Sequence, residues 1–192
     1  LYKNHNITVF EKNDYIGGHG RTITISNAEK TTPVDTGFIV FNKENYPNLT
    51  RLFAHLDVDI QKSNMSFGVS VRNRFLEYSS LSIFAQKRNI LRPQFWRMVF
   101  DIFKFNRNAK HFVMKNDTKT LAEMLDHLKM GKWFREYYLQ AMGGAIWSCS
   151  AQKILSYPAY NFIRFFENHG LLTVNDQPQW YTVAGGSQNY IL

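Results

Sequence analysis

The hydrophobic pattern divides the chain into a β-rich stretch to about residue 78, a helical stretch to about residue 170, and one returning strand. Ile7-Thr-Val-Phe-Glu11 is a β-rich run ending in an acid, and it predicts a strand. Asn13-Asp14 and Gly17-Gly18-His19-Gly20 predict a turn, and Thr22-Ile-Thr-Ile-Ser26 a second strand. Thr31-Thr-Pro-Val34 reads as a loop, and residues 35–41 as an extended stretch with one internal glycine. Pro47-Asn48-Leu49 opens a helix, with Leu49, Leu52, Phe53 and Leu56 at helical spacing.

Met65-Ser-Phe-Gly-Val-Ser-Val71 alternates as a strand, and Phe75–Tyr78 is placed to pair with it across an Arg72-Asn73-Arg74 turn. A helical pattern runs from about Ser82 to Lys115, broken near Pro93. Thr120-Leu-Ala-Glu123 has the form of a capping box, with Gly131 placed to end the helix that follows. Residues 133–142 and 159–168 predict two further amphipathic helices. Trp180–Val183 predicts a strand, and Gly185-Gly186-Ser187 a turn into a last helix. No internal repeat or low-complexity linker is visible.

Composition narrows the class. The hydrophobic content of 44% is that of a globular protein. No run of about 18 apolar residues is present to span a membrane, nor is there a secretory leader at the start. The single cysteine, Cys149, forms no internal disulfide and reads as a small packed residue; a reducing, cytoplasmic setting is the expectation. The six histidines show no i, i+4 pairing, so no metal site is expected.

The net charge of +8 is concentrated between Lys87 and Lys115, where eight Lys or Arg face one acid, Asp101. Phe95, Trp96, Phe100, Phe103, Phe105 and Phe112 are interleaved with them. A solvated basic face and a helix lying on a membrane surface both fit this pattern. Nucleic-acid binding is not expected, because no nucleic-acid motif accompanies the charge.

Glu11 carries the first chemical hint. In a dinucleotide-binding βαβ unit, an acid at the end of the second strand accepts hydrogen bonds from the ribose, about 20 residues past the glycine fingerprint. Taken alone, Glu11 reads first as a plain solvated strand-end acid. Two adjacent glycines, Gly17 and Gly18, let the backbone approach a pyrophosphate, and a positive side chain beside them offsets its charge.

In combination these residues become specific. Val9-Phe-Glu-Lys-x-x-x-Ile-Gly-Gly-x-x-x-Thr22 resembles the second FAD motif of the amine oxidase, protoporphyrinogen oxidase and phytoene desaturase superfamily. That family has Arg directly after Gly-Gly; here His19 stands there and Arg21 follows two residues later, so either is a candidate phosphate contact. Asp35-Thr36-Gly37-Phe38, with Phe41-Asn42 and Tyr46-Pro47, extends the match. The resemblance places Gly37 against the flavin; a β-bulge glycine is the alternative. Met65-Ser-Phe-Gly-Val-Ser70, Ala145-Ile-Trp-Ser148, the segment 165–172 and Trp180-x-x-Val183-x-Gly185-Gly186-Ser187-x-x-Tyr190 resemble the predicted NAD/FAD-binding amine oxidoreductases in the same order.

The resemblance implies an α/β fold: a partial Rossmann-like FAD-binding domain (1–78 and 171–192) interrupted by a helical substrate domain (79–170). It implies the central part of a longer flavoenzyme, with Leu1-Tyr2 as the last turn of a phosphate-binding helix. The expected activity is that of an FAD-dependent oxidoreductase, transferring a hydride from a C–N or C–C bond of an amine or lipid-like substrate to FAD. Cofactor contacts are expected at Glu11, Gly17, Gly18, His19, Arg21, Thr22, Thr36, Gly37 and Phe38, and substrate-facing positions at Tyr46, Ile146 and Trp147. Gly143-Gly144 reads either as part of that substrate face or as a helix terminator, and His169 as a helix cap. No catalytic residue is named. The rival expectation is a non-catalytic flavoprotein fragment, or a basic module that binds a membrane surface.

Overall fold

The computed structural model describes residues 3–71, 75–173 and 178–191. In chain order the elements are β1 (Thr22–Ser26), β2 (Thr31–Asp35), β3 (Phe41–Asn42), α1 (Pro47–His55), β4 (Ile60–Ser63), β5 (Gly68–Ser70) and β6 (Glu77–Ser79). They are followed by α2 (Pro93–Lys115), α3 (Leu121–His127), α4 (Gln140–Trp147), α5 (Ala151–Leu155), α6 (Ala159–Asn168) and β7 (Trp180–Val183). Short 3-10 turns occupy Lys87–Leu91 and Ser187–Tyr190. The protein is a mixed α/β fold, and it divides into two compact units: Leu1–Met65 with Gln179–Leu192, and Ser66–Pro178.

The first unit is built on antiparallel pairings. β1 and β2 form a hairpin in which Thr22 faces Asp35 and Thr24 faces Pro33. Residues 31–34, expected as a loop, are thus a strand. Proline is tolerated because the ladder bonds fall on neighbouring pairs: Thr36 N–H donates to the Arg21 carbonyl and Asn27 N–H to the Lys30 carbonyl. By alternation, the Thr24–Pro33 pair carries no ladder bond that the missing N–H would break. Asn27 closes the turn, its side-chain oxygen accepting from the Lys30 and Glu29 amides.

A three-stranded sheet in the order β3-β7-β4 brings the returning strand between two earlier ones. α1 starts at Pro47, as expected, and buries Phe53 edge-on against Phe41, with ring centroids 5.1 Å apart. Phe41, Phe53 and Val183 are this unit's buried core, with Phe38, Tyr46, Leu49, Ile60, Tyr181 and Tyr190 packed around them.

Ile7–Glu11, expected as a strand, is not one. No described strand lies beside it, so its amides have no ladder to join, and Val9 and Phe10 are 83% and 91% exposed.

The second unit is helical, with the β5–β6 ribbon packed on it through Leu76 and Tyr78. The turn expected at 72–74 lies outside the described residues, as do Leu1 and Tyr2. α2 begins at Pro93 and buries Phe95, Met98, Val99, Phe105, Ala109, Phe112 and Val113 along one side. α3 starts with the capping box in full: Thr120 Oγ1 accepts from the Glu123 amide, and Glu123 accepts from the Thr120 amide. It stops before Gly131, the expected terminator; Lys129 takes the left-handed conformation instead, at φ 51°. The Gly131 amide donates to buried Asp101 at 2.8 Å, and a Cβ at Gly131 would meet that same carboxylate.

A π-helical segment, Phe134–Leu139, runs directly into α4. Tyr78 O–H donates to the Tyr137 carbonyl inside it at 2.6 Å. Burial raises the Tyr78 phenol well above its ordinary value, and pushes Tyr138 up to about 12. Both stay neutral at ordinary pH, and Tyr78 serves as a buried donor.

Candidate functional site

Gly17 to Gly20 form a tight turn, closed by Gly20 N–H donating to the Gly17 carbonyl at 2.9 Å. Gly17 and Gly18 both have positive φ, 106° and 55°. Their surroundings differ. A Cβ on Gly17, or on Gly20, would meet the tip of the Ile191 side chain, so those two glycines face a packed neighbour. A Cβ on Gly18 would meet nothing within 4 Å. Gly18 is therefore a bare stretch of backbone facing open space, the one glycine of the turn whose lack of a side chain serves no neighbour.

The side chains around it are exposed. His19 and Arg21 both reach solvent, and the Arg21 guanidinium lies over the Tyr15 ring, 4.5 Å from its centroid. The tyrosine holds that charge on the turn. Glu11 is also exposed, and its carboxylate accepts the Asn13 amide at 2.9 Å, which fixes the chain entering the turn.

Gly37 has a structural reason of its own. Phe38 N–H donates to the His19 carbonyl at 2.8 Å, and a Cβ on Gly37 would come within 2.5 Å of that same oxygen. Gly37 thus lets the chain pass close to the His19 backbone. Thr36 donates its amide and hydroxyl to the Arg21 carbonyl, and Phe38 packs on Phe41 and Tyr190.

Thr22 belongs to a polar junction that joins distant parts of the chain. Thr22 and Asp35 occupy a pair without ladder bonds, where side chains lie close, and Thr22 Oγ1 donates to Asp35 Oδ1 at 2.6 Å. The same oxygen accepts the Ser187 amide at 2.7 Å and the Ser187 hydroxyl at 3.0 Å. Thr22 Oγ1 in turn accepts the Gln188 amide at 3.0 Å. Gly186, at φ 111°, lies against Thr22 so closely that a Cβ would overlap it. One carboxylate oxygen thus anchors the Gly185-Gly186-Ser187 turn on the hairpin. Asp35 was not among the expected site residues; its signal was a single acid in a β-rich run, opposite a threonine once the register is known.

Of the expected substrate-facing residues, Tyr46 caps the start of α1, half-buried, with its phenol pushed up by desolvation. Ile146 and Trp147 belong to the helical unit. There Trp147 packs at tilted angles among Tyr157, Phe162 and Phe165, the nearest centroid 4.8 Å away. Gly143-Gly144 does not terminate the helix: both glycines lie inside α4, which ends at Ser148 in the left-handed region. Gly143 instead leaves room for Ile154 of α5, 3.0 Å from where a Cβ would stand. His169 does cap α6, its ring stacked on Phe165 and its Nδ1 against the Phe165 carbonyl at 2.8 Å.

Residues 2–56 match the family of NAD(P)-binding Rossmann-like domains. The match spans the turn, both hairpin strands, β3 and all of α1. It supports a nucleotide cofactor, FAD or NAD(P), and suggests a dinucleotide-binding oxidoreductase. No curated protein matches the chain. An anionic group fits the turn chemically, with open backbone at Gly18 and cationic Arg21 beside it.

Proposed function

We propose that the protein is an FAD-dependent oxidoreductase of the amine oxidase-like type, oxidising a C–N or C–C bond of an amine or lipid-like substrate. The observation that carries this reading is Gly18: a left-handed glycine with open space above it, beside Arg21, within a segment matched to dinucleotide-binding domains. Gly18 and Arg21 would take the pyrophosphate and Glu11 a ribose hydroxyl. Flavin, when bound, supplies the hydride-accepting chemistry. Thr22, Asp35 and Ser187 act as positioning residues, holding the glycine turn and the 185–187 turn on one hairpin.

The test is the visible absorbance of the protein purified from its full reading frame. Flavin bands present in the wild type and lost in Gly18→Asn are expected. A colourless protein that takes up no added FAD would overturn the reading. The family's description favours a second cofactor, NAD(P); binding of a nicotinamide dinucleotide by that colourless protein would move the assignment there.

A further inference from the structure

We propose that α2 docks the protein on an anionic lipid surface, an inference that stands on the helical unit and does not depend on the cofactor. α2 is 23 residues long. Its buried side faces the aromatic core; its opposite side carries Phe100, Phe103 and Met114, which are 65%, 56% and 73% exposed, and Trp96. At 3.6 residues per turn these four and Arg107 fall within an arc of about 60°, along about 27 Å of helix. Trp96 Nε1 donates to the Ile90 carbonyl at 2.8 Å, which sets exposed Ile90 and Leu91 beside the N-terminal end of the same stripe.

The uncompensated charge in and beside the stripe has one sign. Asp101, the sole acid of α2, is buried and already holds Arg97 and the Gly131 amide. Lys110 pairs with Glu167. Among the described residues, Lys104, Arg107 and Lys115 enter no ion pair, and all three are exposed. Exposed aromatic and aliphatic side chains bordered by uncompensated Lys and Arg are what the boundary between lipid headgroups and acyl chains accepts. A protein partner would meet a stripe whose borders are lysine, a residue depleted at the centre of protein interfaces. A single-stranded nucleic acid would use the aromatic rings and the charge but nothing of Met114 or Leu91. No described helix is long and apolar enough to cross a membrane, so the contact is lateral.

The experiment is flotation of the full chain with vesicles of phosphatidylcholine plus phosphatidylserine, and with phosphatidylcholine alone. The wild type is compared with Lys104→Gln/Arg107→Gln/Lys115→Gln and with Phe100→Gln/Phe103→Gln/Met114→Gln. All six positions are exposed, and unchanged circular dichroism verifies the fold. Binding is expected on the anionic vesicles and to be weak on the neutral ones. The charge variant should weaken it by roughly 100-fold, at about fivefold per cation. The apolar variant should also release the protein. Absence of wild-type binding, equal binding to neutral vesicles, or either variant binding like the wild type overturns the proposal. So does a chain that prefers a single-stranded oligonucleotide to the vesicles, or self-associates through the stripe.

Discussion

The two units are held together by different means. In the helical unit, Phe95, Phe105, Phe134, Phe162 and Phe166 are fully excluded from water, and Phe162 stacks on Phe166 with centroids 4.4 Å apart. In the hairpin unit the buried cluster is small, Phe41, Phe53 and Val183, and the strands present Ile23, Ile25 and Val34 to solvent. What fixes the hairpin unit's turns is polar: one carboxylate oxygen with three donors, and glycines that let backbone meet backbone. Packing tolerates small shifts in side-chain identity, whereas a hydrogen-bond junction depends on single atoms. The unit with the smaller core carries the matched dinucleotide-binding segment, and its geometry rests on a few identifiable contacts.

The largest effect should come from the packed unit. Phe166→Ala removes a ring from a site with no water access, and is expected to lower stability by about 3–5 kcal/mol in chemical denaturation. Phe53→Ala, the matching change in the hairpin unit, should cost less, because its neighbours Leu49, Val58 and Tyr190 are only partly buried and can close in. Equal losses would break the contrast between the units.

Next is the junction itself. Asp35→Ala strips the acceptor from the Thr22 hydroxyl and from the Ser187 amide and hydroxyl, at a cost of about 1–3 kcal/mol. Asp35→Asn keeps an oxygen there and should cost clearly less. Amide exchange at Ser187 reports the loss directly, rising in the alanine variant and staying near wild type in the asparagine one. If the two variants behave alike, the junction is not what holds residues 185–187.

How far the sequence reveals this depends on the range of the interaction. The helix starting at Pro47 and the capping box at Thr120 are local, decided by residues three or four apart, and are found where the pattern places them; the helical pattern expected from Ser82 becomes an α-helix only at Pro93, after a 3-10 turn at Lys87–Leu91. The β2 strand was hidden by Pro33, because only the register shows that its nitrogen sits at a position without a ladder bond. Ile7–Glu11 shows the converse: strand propensity without a neighbouring strand gives none. The Asp35–Ser187 contact spans 152 positions and has no local signature at all. Gly17, Gly18 and Gly37 look equivalent as letters; only the atoms around them separate the packed from the open.

A smaller effect tests the local kind of stabilisation. Thr120→Ala should cost about 1 kcal/mol through loss of the cap of α3. Glu123 adds a pH signature. Hydrogen bonds from the Lys119 ammonium, then from the Thr120 amide and hydroxyl, hold its carboxyl down to about 2, from 4.5. The folded value is lowered, so the contribution is present above the unfolded value and fades as pH falls from 4.5 toward about 2. The difference in Tm between wild type and Glu123→Gln should therefore be largest near neutrality and shrink across that interval. A difference that grows on acidification would refute the assignment.

The smallest expected effect on stability belongs to Gly18→Asn, and it sharpens the comparison most. Asparagine tolerates the left-handed region that Gly18 occupies at φ 55° better than other side chains, and the space its Cβ would enter is open, so backbone strain is the main cost and the fold should lose about 1 kcal/mol or less. Gly37→Ala, by contrast, drives a Cβ to 2.5 Å from the His19 carbonyl and must displace backbone. Cofactor loss in a Gly37 variant would thus be ambiguous between a broken hairpin and a blocked site. In Gly18→Asn, with its melting curve close to that of the wild type, the same loss has a single cause, a ligand that needs the bare backbone of that turn. If the variant melts with the wild type and keeps its flavin, the open glycine is not where the cofactor's phosphates lie, and the pyrophosphate must be sought along another edge of the hairpin unit.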